Sequence, residues 1–556
     1  MNSAYEMLLA KLKARNSTTP PGNGNSETLS SLPPGNDKPG HQIINAYGQL
    51  ITLNSAQSEF VSLVTSGKSC VLLGPAGTGK TTCTQAALQS RISAGIPTLQ
   101  DTLGHKYLTQ HSPGIVCTSF TRRAVRNLKR ALSEDLKPTA ITIHKLLEYA
   151  PQYYEVLDPE TQEYKTTMRF EPTRNEHNPL PRQIKVCVID EASMVSTELF
   201  SQLQDALPAD CQFIFIGDLH QLPPVFGSAI LGFKGLELPV VQLTEVYRQA
   251  LESPIISLAT RIRNAESIEV FTEKTTQEHP TQGKVTIHPW KKKLHPDSAL
   301  LTAAKFFTTA IDQGLYDPSE DCILTPFNKA CGTIELNKHI AQHLARKHGR
   351  EVYEVIAGFN KHYFSVGDLV LCDKEDAEII SITRNGTYLG KRPVPHSLTL
   401  DYWGYDSQAA SHQVEVDTLE DVELFLAAAA GGSEERVTVA SHLITVRMID
   451  SGEEVTLDSA AEVNSLILSY ALTVHKSQGS EWERVFILFH QSHNTMLNRE
   501  LTYTAVTRAK KELYIICEPD SLQKASRNAK IKGDTLAEKL EYFKGKQATL
   551  QLGEQE

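Results

Sequence analysis

"CVLLGPAGTGKTTCTQAALQS", residues 70–90, is the stretch that decides the fold. An apolar run comes first, then a glycine-rich turn that fits G-x-x-x-x-G-K-[ST] over residues 74–81, and then a segment compatible with a helix. Glycines allow such a turn to point its backbone N–H groups inward, where they hold phosphate oxygens. The order strand, loop and helix therefore predicts a nucleotide-binding loop.

Two side chains of this loop have predicted roles. Lys80 is expected to contact the β and γ phosphates, and the hydroxyl of Thr81 is expected to be a ligand of Mg²⁺. The complete set that we assign to nucleotide binding here is Gly74, Pro75, Ala76, Gly77, Thr78, Gly79, Lys80, Thr81 and Thr82.

A second apolar run, "VCVIDEAS" at residues 186–193, ends in two adjacent carboxylates. Ligands of open α/β sheets lie at the carboxyl ends of the strands. Asp190 is therefore predicted to hold Mg²⁺, and Glu191 to orient or deprotonate an attacking water. An exposed acidic turn after a core strand is the alternative, and the nearby phosphate loop favours the catalytic interpretation.

A third apolar run ends in "FIGDLHQLPPV", residues 215–225. Asp218 and Gln221 follow it directly and are expected at the same edge of the sheet. A glutamine can hydrogen-bond the γ-phosphate, or the water beside it, without adding negative charge. Pro223 and Pro224 restrict the backbone just beyond it. The stretch predicts a loop that responds to the phosphate state of the nucleotide.

Length and composition indicate a large soluble protein. With 556 residues the chain is expected to form about three or four domains. Its hydrophobic share of 40% is ordinary, and no apolar stretch is long enough to cross a bilayer. Its nine cysteines are scattered without a CxxC pair, which favours reduced thiols. We therefore expect a cytoplasmic protein.

Net charge argues against a protein that coats nucleic acid over its whole surface. The formal charge is −10, although local clusters can still form a basic groove on an acidic body. One such cluster is "TSFTRRAVRNLKRAL" from Thr118. On a helix, Arg122, Arg126, Lys129 and Arg130 would share one face, while the apolar residues Val125, Leu128 and Leu132 would pack on the core. A merely solvated basic face is the alternative.

Continuous apolar runs alternate with helix-like segments, which is typical of parallel sheets covered on both faces. Between the two sets, residues 352–462 have short alternating runs and turn signals, which predict an inserted β-barrel. Residues 148–183 predict a β-hairpin. The first set of strand-like runs is 70–74, 114–120, 184–190 and 211–218, and the second is 321–328, 466–479, 484–489 and 512–517.

Six motifs in this order resemble the superfamily 1 helicases, in the RecD-like and phage Dda-like branch. They are "GPAGTGKT", "IDEASMV", "GDLHQLPPV", "LTEVYRQ", "LTVHKSQGSEW" and "YTAVTRAKKELYI". The resemblance covers about residues 42–525. It implies an α/β fold of two RecA-like parallel-sheet motor domains, with a pin-like β-hairpin inserted in the first and an SH3-like β-barrel inserted in the second.

The expected domain boundaries follow from the resemblance and from composition. Residues 1–41 are rich in Pro, Gly and Ser and predict a disordered tail, whose start is either a short amphipathic helix or a frayed terminus. The other predicted parts are a first RecA-like ATPase domain over 42–250 with its hairpin at 148–183, a second over 251–351 and 463–530, the β-barrel over 352–462, and a C-terminal tail over 531–556.

The resemblance also implies the cofactors, ATP and Mg²⁺, and roles for three further residues. Arg248 and Arg508 match the two arginines that reach the γ-phosphate, and arginine suits this role because its charged fork matches phosphate oxygens. Gln57 matches the glutamine that reads adenine upstream of the phosphate loop. The implied catalytic set is Lys80, Asp190, Glu191, Gln221, Arg248 and Arg508.

Single-stranded DNA and junctions between single and double strands are the implied binding partners. Phe120 would stack on a base or pack inside the protein, and both options stay open. The hairpin aromatics Tyr153, Tyr154, Tyr164 and Phe170 would stack against the last base pair or pack across the strands. The predicted DNA contacts are Ser119, Phe120, Thr121, Arg123, Thr142, His144, Thr325, Pro326, Asn328, Thr473, His475 and Lys476.

The expected function is therefore an ATP-dependent DNA helicase that moves 5′ to 3′ in replication, recombination or repair. Partner proteins that bind single-stranded DNA, or belong to a replisome, could dock on the terminal tails, and no membrane is expected. Three alternatives remain: a Pif-like helicase, an RNA helicase of the same superfamily, and an ATP-switched strand-binding or loading factor that does not unwind.

Overall fold

The protein is described by a computed structural model over residues 42–44, 50–97, 114–134, 136–157, 164–246, 252–268, 273–290, 293–358, 360–372, 375–386, 388, 439–449 and 451–552. It divides into two compact units, Met1–Lys291 with Val474–Glu556, and Lys292–Thr473. Two predicted features lie outside the described residues: the tail over 1–41 and Arg248.

The first unit begins with alternating strands and helices. They are β1 Gln42–Ile44, β2 Leu50–Thr52, α1 Ser55–Thr65, β3 Cys70–Leu73, α2 Lys80–Ser93, β4 Ile115–Ser119, α3 Arg122–Ala131, β5 Ala140–Thr142, α4 Ile143–Leu146, β6 Tyr149–Leu157, β7 Tyr164–Pro172, β8 Val186–Asp190, α5 Thr197–Ala206, β9 Gln212–Gly217, α6 Ile230–Glu237, β10 Val240–Gln242, α7 Pro254–Arg263, β11 Thr275–His279 and β12 Gly283–Pro289.

A six-stranded parallel sheet in the order β10-β3-β9-β8-β4-β5 forms the centre of this unit. Successive side chains of β3 enter different cores: Val71 and Leu73 join one cluster, while Cys70 and Leu72 join another. Because alternate residues of a strand point to opposite faces, both faces of this sheet are covered. Burial on both faces explains why the apolar runs in the sequence are continuous. The predicted α/β class is confirmed.

The second unit combines a short parallel pair with an antiparallel sheet. Its elements are α8 Pro296–Asp312, β13 Cys322–Thr325, α9 Thr333–His348, β14 Tyr353–Ala357, β15 Asn360–Phe364, β16 Leu369–Cys372, β17 Glu375–Arg384, β18 Val439–Met448, β19 Glu454–Ser459, α10 Ala460–Ser465, β20 Ile467–Leu468 and β21 Ala471–Thr473.

Strands β14 to β20 form the predicted β-insertion. They make a seven-stranded antiparallel sheet in the order β15-β14-β18-β17-β16-β20, with β19 paired to β18. A turn that includes Ser451 and Gly452 joins β18 to β19, and Gly452 has a φ of 68° there. Strand β13 pairs in parallel with β21 in the same unit.

The remainder of the first unit holds β22 Trp482–Phe489, α11 Arg499–Val506, β23 Ala509–Cys517, α12 Pro519–Arg527 and α13 Leu536–Leu552. Strand β23 pairs in parallel with both β22 and β12, and β11 is antiparallel to β12. Helix α13 lies in the segment that we predicted as a tail. It packs on α6 because Leu536, Leu540 and Phe543 are spaced to form one apolar helix face.

The predicted hairpin is present as β6 and β7. The strands are antiparallel, with a continuous register from the pair Tyr149–Pro172 to the pair Leu157–Tyr164. All nine cysteines of the chain are buried free thiols. Among the described helices, none is long and apolar enough to cross a membrane.

Candidate nucleotide site and nucleic-acid interface

The phosphate loop joins β3 to α2 in a conformation that needs its glycines. Gly77 and Gly79 both have a φ of 81°, a region that other residues rarely adopt. A Cβ at Gly74 would lie 2.6 Å from the hydroxyl oxygen of Thr78. Lys80 folds back across the loop, and its Nζ donates to the carbonyl oxygens of Gly74 at 2.7 Å and Pro75 at 3.1 Å. These contacts hold the ammonium over the loop.

Gln57 supports this loop from α1. It is fully buried, and its Nε2 donates to the carbonyl oxygen of Thr78 at 3.3 Å. Its Oε1 accepts from the backbone N–H of Asn54, whose side chain in turn accepts from the N–H of Gln57, forming a capping box. The glutamine predicted to read adenine thus holds the backbone of the phosphate loop in this structure.

The two carboxylates after β8 lie at the same sheet edge as the phosphate loop, because β9 alone separates β3 from β8. Burial and repulsion from Glu191 raise the pKa of Asp190 to about 7, while Lys80 acts in the opposite direction. Glu191 has a φ of 50°, an unusual value for a residue with a side chain. The sharp turn after Asp190 therefore comes at a backbone cost.

Asp218, directly after β9, joins its own loop to helix α11. Its Oδ1 accepts from the backbone N–H of His220 at 2.9 Å and lies 2.9 Å from His220 Nδ1, and its Oδ2 accepts from the Tyr503 hydroxyl at 2.7 Å. Burial would raise the pKa of Asp218, but the His220 contacts and the Lys80 charge hold it well below its usual range. Asp218 is thus a buried carboxylate that stays ionised.

Tyr503 links Asp218 to the phosphate loop, a contact that our sequence reasoning missed. Its hydroxyl also accepts from the backbone N–H of Ala76 at 3.1 Å. Burial and the Asp218 charge hold the pKa of Tyr503 well above its usual range, so the hydroxyl keeps its proton. The "YTAVTRA" string was the available signal, but its spacing pointed only to the arginine.

Gln221 is 6% exposed, and its Oε1 is buried without a hydrogen-bond partner among the described residues. A buried amide oxygen in that state is costly and points to a missing donor. The backbone beside it is held firmly, since the N–H of Leu222 donates to Thr504 Oγ1 and the carbonyl of Leu222 accepts from Gln478 Nε2, both at 3.0 Å.

Arg508 follows α11 and is 4% exposed. Its guanidinium donates to the carbonyl oxygens of Thr504 at 3.0 Å and Ser480 at 3.1 Å, and to the Thr507 hydroxyl at 3.3 Å. A contact from this arginine to a phosphate would have to replace some of these bonds. The structure therefore holds Arg508 in an internally bonded arrangement.

This site fits a nucleoside triphosphate with Mg²⁺. Helix α2 begins at Gly79 without a side-chain cap, which leaves its first N–H groups suited to phosphate. Asp190 and the exposed Thr81 provide the few oxygen ligands that Mg²⁺ needs beside phosphate oxygens. The bound cation would supply charge neutralisation for the phosphates. The orphaned oxygen of Gln221 and the raised pKa of Asp190 agree with a site built for polar and cationic groups.

Among the predicted DNA contacts, Thr121 meets the loop after Val474, because its hydroxyl donates to the carbonyl oxygen of Gln478 at 3.5 Å. Thr121 caps α3 by accepting from the N–H of Ala124 at 3.1 Å, and Asn127 Nδ2 donates to the Gly479 carbonyl at 2.7 Å. Arg122, Lys129 and Arg130 are exposed, while Val125, Leu128 and Leu132 are buried as predicted. The basic face and the loop with His475 and Lys476 therefore belong to one surface region.

Several predicted contacts are instead buried in internal roles. Ser119 is fully buried and donates to the Asp190 carbonyl at 3.1 Å, and Thr142 caps α4. Arg123 is 6% exposed, with its guanidinium carbon 5.5 Å from the centre of the Trp482 ring. Phe120 is half-buried and packs edge-on against His144, with ring centres 5.4 Å apart. In this structure Phe120 therefore packs against the protein and is not openly exposed.

The second unit brings its own predicted contacts together, because Thr325 and Thr473 are paired across β13 and β21. Thr325 is fully buried, and its hydroxyl donates to the Phe327 carbonyl at 2.7 Å. Pro326 is also buried, whereas Asn328 is exposed and accepts from the Thr333 hydroxyl at 2.9 Å. Asn328 is the member of this group that faces solvent.

Two hairpin aromatics are exposed: Tyr154 at 39% and Phe170 at 61%. The Arg169 guanidinium lies 5.9 Å from the centre of the Tyr154 ring, and the Tyr154 hydroxyl donates to Glu171. The side chains of Tyr153 and Tyr164 lie outside the described residues. The hairpin thus presents two aromatic rings that do not pack in a core.

Known proteins similar to this chain are helicases. Residues 57–227 match a family model described as an AAA domain, and residues 468–516 match one described as a UvrD-like helicase C-terminal domain. The ATP-dependent RecD2 DNA helicase of Deinococcus radiodurans is 27% identical over 466 residues, which cover 83% of this chain and 48% of that protein. This chain therefore spans about half the length of that relative.

For two further proteins, the alignment with this chain extends over nearly the whole length of the other protein. The ATP-dependent DNA helicase dda of Enterobacteria phage T4 is 24% identical over 473 residues, 80% of this chain and 93% of that protein. The crystal structure of Pif1 helicase from Candida albicans aligns over 89% of this chain and 99% of that one, with a TM-score of 0.42 and 15% identity. The two domain matches and the RecD2 and Dda relatives thus make this chain similar to superfamily 1 helicases of the RecD-like and Dda-like branch.

Proposed function

We propose that this chain is an ATP-driven motor that moves 5′ to 3′ along single-stranded DNA and separates duplex ahead of it. The observation that carries the proposal is the meeting of three loops at neighbouring strand ends: the phosphate loop after β3, Asp190–Glu191 after β8, and Asp218–Gln221 after β9. Such an edge is where α/β sheets bind and hydrolyse nucleotides.

Each catalytic residue has a task in this proposal. Lys80 and the loop N–H groups hold the phosphates, and Asp190 with Thr81 would hold Mg²⁺. Glu191 orients the attacking water and accepts its proton, since its carboxylate follows directly on Asp190. Gln221 would accept a hydrogen bond from the attacking water through its orphaned Oε1, and its Nε2 would donate to a γ-phosphate oxygen.

Loss of the γ-phosphate would then change contacts outside the nucleotide site, and Asp218 and Tyr503 would transmit the change. Tyr503 lies in α11, five residues before Arg508, and its hydroxyl touches both Asp218 and the phosphate loop. Arg508 and Arg248 would contact the γ-phosphate in the ATP state only. A difference in contacts between two states is what lets a nucleotide shift a conformational equilibrium.

Direction, substrate and pathway rest on the likeness to the RecD-like and Dda-like branch. We propose single-stranded DNA and single–double-strand junctions as substrates, and a task in replication, recombination or repair. The exposed basic residues of α3, the loop with His475 and Lys476, and Asn328 would contact the strand, with phosphate contacts supplying most of the affinity. A partner that binds single strands would dock on a terminal segment.

The Lys80→Ala variant tests the motor. It should abolish ATP hydrolysis because the phosphate loop loses its ammonium, and it should keep most strand binding because the exposed basic residues of α3 are unchanged. Unwinding at the wild-type rate by this variant would rule the proposal out.

Tailed duplexes test polarity and substrate. Four substrates carry a single 5′ or 3′ tail, in DNA or in RNA. We expect unwinding of the 5′-tailed DNA alone. Activity confined to the 3′-tailed DNA would reverse the direction, activity on RNA would shift the substrate class, and strand-stimulated hydrolysis without unwinding would favour a loading factor.

A further inference from the structure

Lys539 is a buried cation in a part of the chain that the helicase domain matches do not reach. It lies in α13, beyond the last matched residue 516, and is 3% exposed. Its ammonium donates to the carbonyl oxygen of Leu219 at 3.2 Å. Buried ammonium groups are rare and are retained where they are bonded. This bond lands inside the loop that carries Asp218 and Gln221.

The chain on both sides of Lys539 is anchored. Upstream, the buried Glu500 of α11 accepts from the backbone N–H groups of Lys530 and Ile531, at 2.8 to 3.0 Å. Downstream, the Phe543 ring fills the space beside Gly232 of α6, where an added Cβ would lie 2.4 Å from it. The segment that places Lys539 beside Leu219 is therefore fixed at both ends.

The loop from Asp218 to Leu222 has no regular secondary structure and is held by side chains from distant segments. Thr504 and Gln478 bind the N–H and carbonyl of Leu222, and Lys539 binds the carbonyl of Leu219. Gln221 lies between these two attachment points. Its orientation thus depends on bonds on either side of it.

Four charged groups surround the Lys539 ammonium. Asp218, Glu500 and Asp534 favour its charge, and Arg499 opposes it, while burial lowers its pKa to about 8. Near neutral pH the group is therefore mainly protonated, and it can donate a charge-assisted hydrogen bond to Leu219.

We propose that Lys539 is a positioning residue for Gln221. By fixing the Leu219 carbonyl, it sets the loop so that the Gln221 amide faces the γ-phosphate position, and the C-terminal helix thereby becomes part of the nucleotide-sensing apparatus. The inference rests on the proposed function of Gln221 and adds a residue to it.

The test measures how well the protein distinguishes a non-hydrolysable ATP analogue from ADP, by displacement of a fluorescent ADP. In Lys539→Met the preference for the ATP analogue should fall about tenfold, the worth of one hydrogen bond from a charged donor. ADP affinity should stay within about twofold. Lys544→Met is the matched control, because Lys544 lies on the same helix with 68% of its side chain exposed.

A double variant separates positioning from general stabilisation. If Lys539 acts through Gln221, Lys539→Met should have no further effect in a Gln221→Ala background, since coupled residues are not additive. Lys539→Gln, which keeps a donor, should recover part of the preference. If Lys539→Met unfolds the protein, Lys539→Gln alone is compared with Gln221→Ala.

An unchanged preference in folded Lys539→Met or Lys539→Gln, or additive losses in the double variant, overturns the inference and leaves the proposed function standing. A wild-type protein that binds the ATP analogue and ADP equally, with or without Mg²⁺, overturns both.

Discussion

Tyr503 illustrates how much one side chain contributes to this site. Its hydroxyl donates to Asp218 and accepts from Ala76, so a single oxygen ties the phosphate loop to the loop of Gln221. Asp218 is 1% exposed and charged, and a buried charge depends on every donor around it. The role of this tyrosine is therefore electrostatic as well as steric.

Tyr503→Phe should weaken both the fold and the reaction. Removal of the hydroxyl leaves Asp218 without one donor and Ala76 without an acceptor, which we expect to cost about 1 to 3 kcal/mol in urea unfolding. Strand-stimulated ATP turnover should fall about tenfold if the two loops then lose their register. Tyr542→Phe is the control, because its hydroxyl makes only an exposed contact at 3.5 Å. Equal behaviour of the two variants would contradict the bridging role.

Lys539 predicts a pH dependence of stability. Its pKa is lowered to about 8 in the folded protein, so between pH 8 and its unfolded value near 10.5 the unfolded chain binds more protons. Stability must then rise with pH in that window. We expect wild type to gain about 2 kcal/mol relative to Lys539→Met between pH 7 and 9.5, measured by urea unfolding at both pH values. A difference between the two proteins that is constant with pH would show that Lys539 titrates normally when folded.

At the scale of elements, the hairpin β6–β7 and helix α13 are additions to the central sheet. The hairpin was foreseen because alternating residues flank a turn-forming Asp-Pro sequence. Helix α13 was not, because its apolar residues show only a weak helical periodicity and give no sign of the partner that they will cover. Its partner, α6, provides Gly232 and Gly235, where only glycines leave room for Phe543 and Leu540.

Shortening the hairpin should separate hydrolysis from unwinding. Replacement of residues 152–169 by an Asn-Gly turn keeps the base of the ladder at Pro151 and Phe170, which are paired in the register. We expect strand-stimulated ATP turnover to remain within about twofold while unwinding falls at least tenfold, because the nucleotide site lies in other elements.

The companion variant Tyr154→Ala with Phe170→Ala keeps the hairpin and removes its exposed rings. A similar loss of unwinding would assign strand separation to these rings, while normal unwinding by the shortened protein would remove the hairpin from the mechanism.

At the scale of the whole molecule, the proposed function requires a local basic surface on an acidic chain, because the strand that it would bind is negatively charged. The formal charge of the chain is −10, and Arg122, Lys129 and Arg130 are exposed on α3. Strand affinity should therefore come from a few phosphate contacts and depend on salt rather than on net charge.

Neutralising this surface should reduce the salt dependence of binding. The triple variant Arg122→Gln, Lys129→Gln and Arg130→Gln should lower the slope of log affinity against log salt by about 2, at about 0.7 per lost contact for single strands. Lys511→Gln, Lys532→Gln and Lys544→Gln remove the same charge from other exposed positions and should leave the slope nearly unchanged. Equal slopes for the two triple variants would contradict a binding surface on α3.

Sequence alone determined the features that depend on neighbours along the chain. The strands at 70–74, 184–190 and 211–218, and the Gly-rich turn of residues 74–81, were predictable because period, burial and glycine conformation are local properties. The order of the six motifs also indicated the resemblance to superfamily 1 helicases. Buried internal roles for Ser119, Arg123 and Thr325 were not predictable, since a polar residue after a strand can face either the core or solvent.

Only the tertiary structure decided the contacts between distant parts of the chain. Tyr503 and Asp218 are 285 positions apart, and Lys539 and Leu219 are 320 apart. Whether such pairs meet depends on how the strands are ordered in the sheets and on which helix covers which face, and no local pattern encodes that order. The conformation of the phosphate loop can therefore be predicted from its local sequence. The arrangement of buried charges and hydrogen bonds that orients Gln221 depends on the tertiary fold.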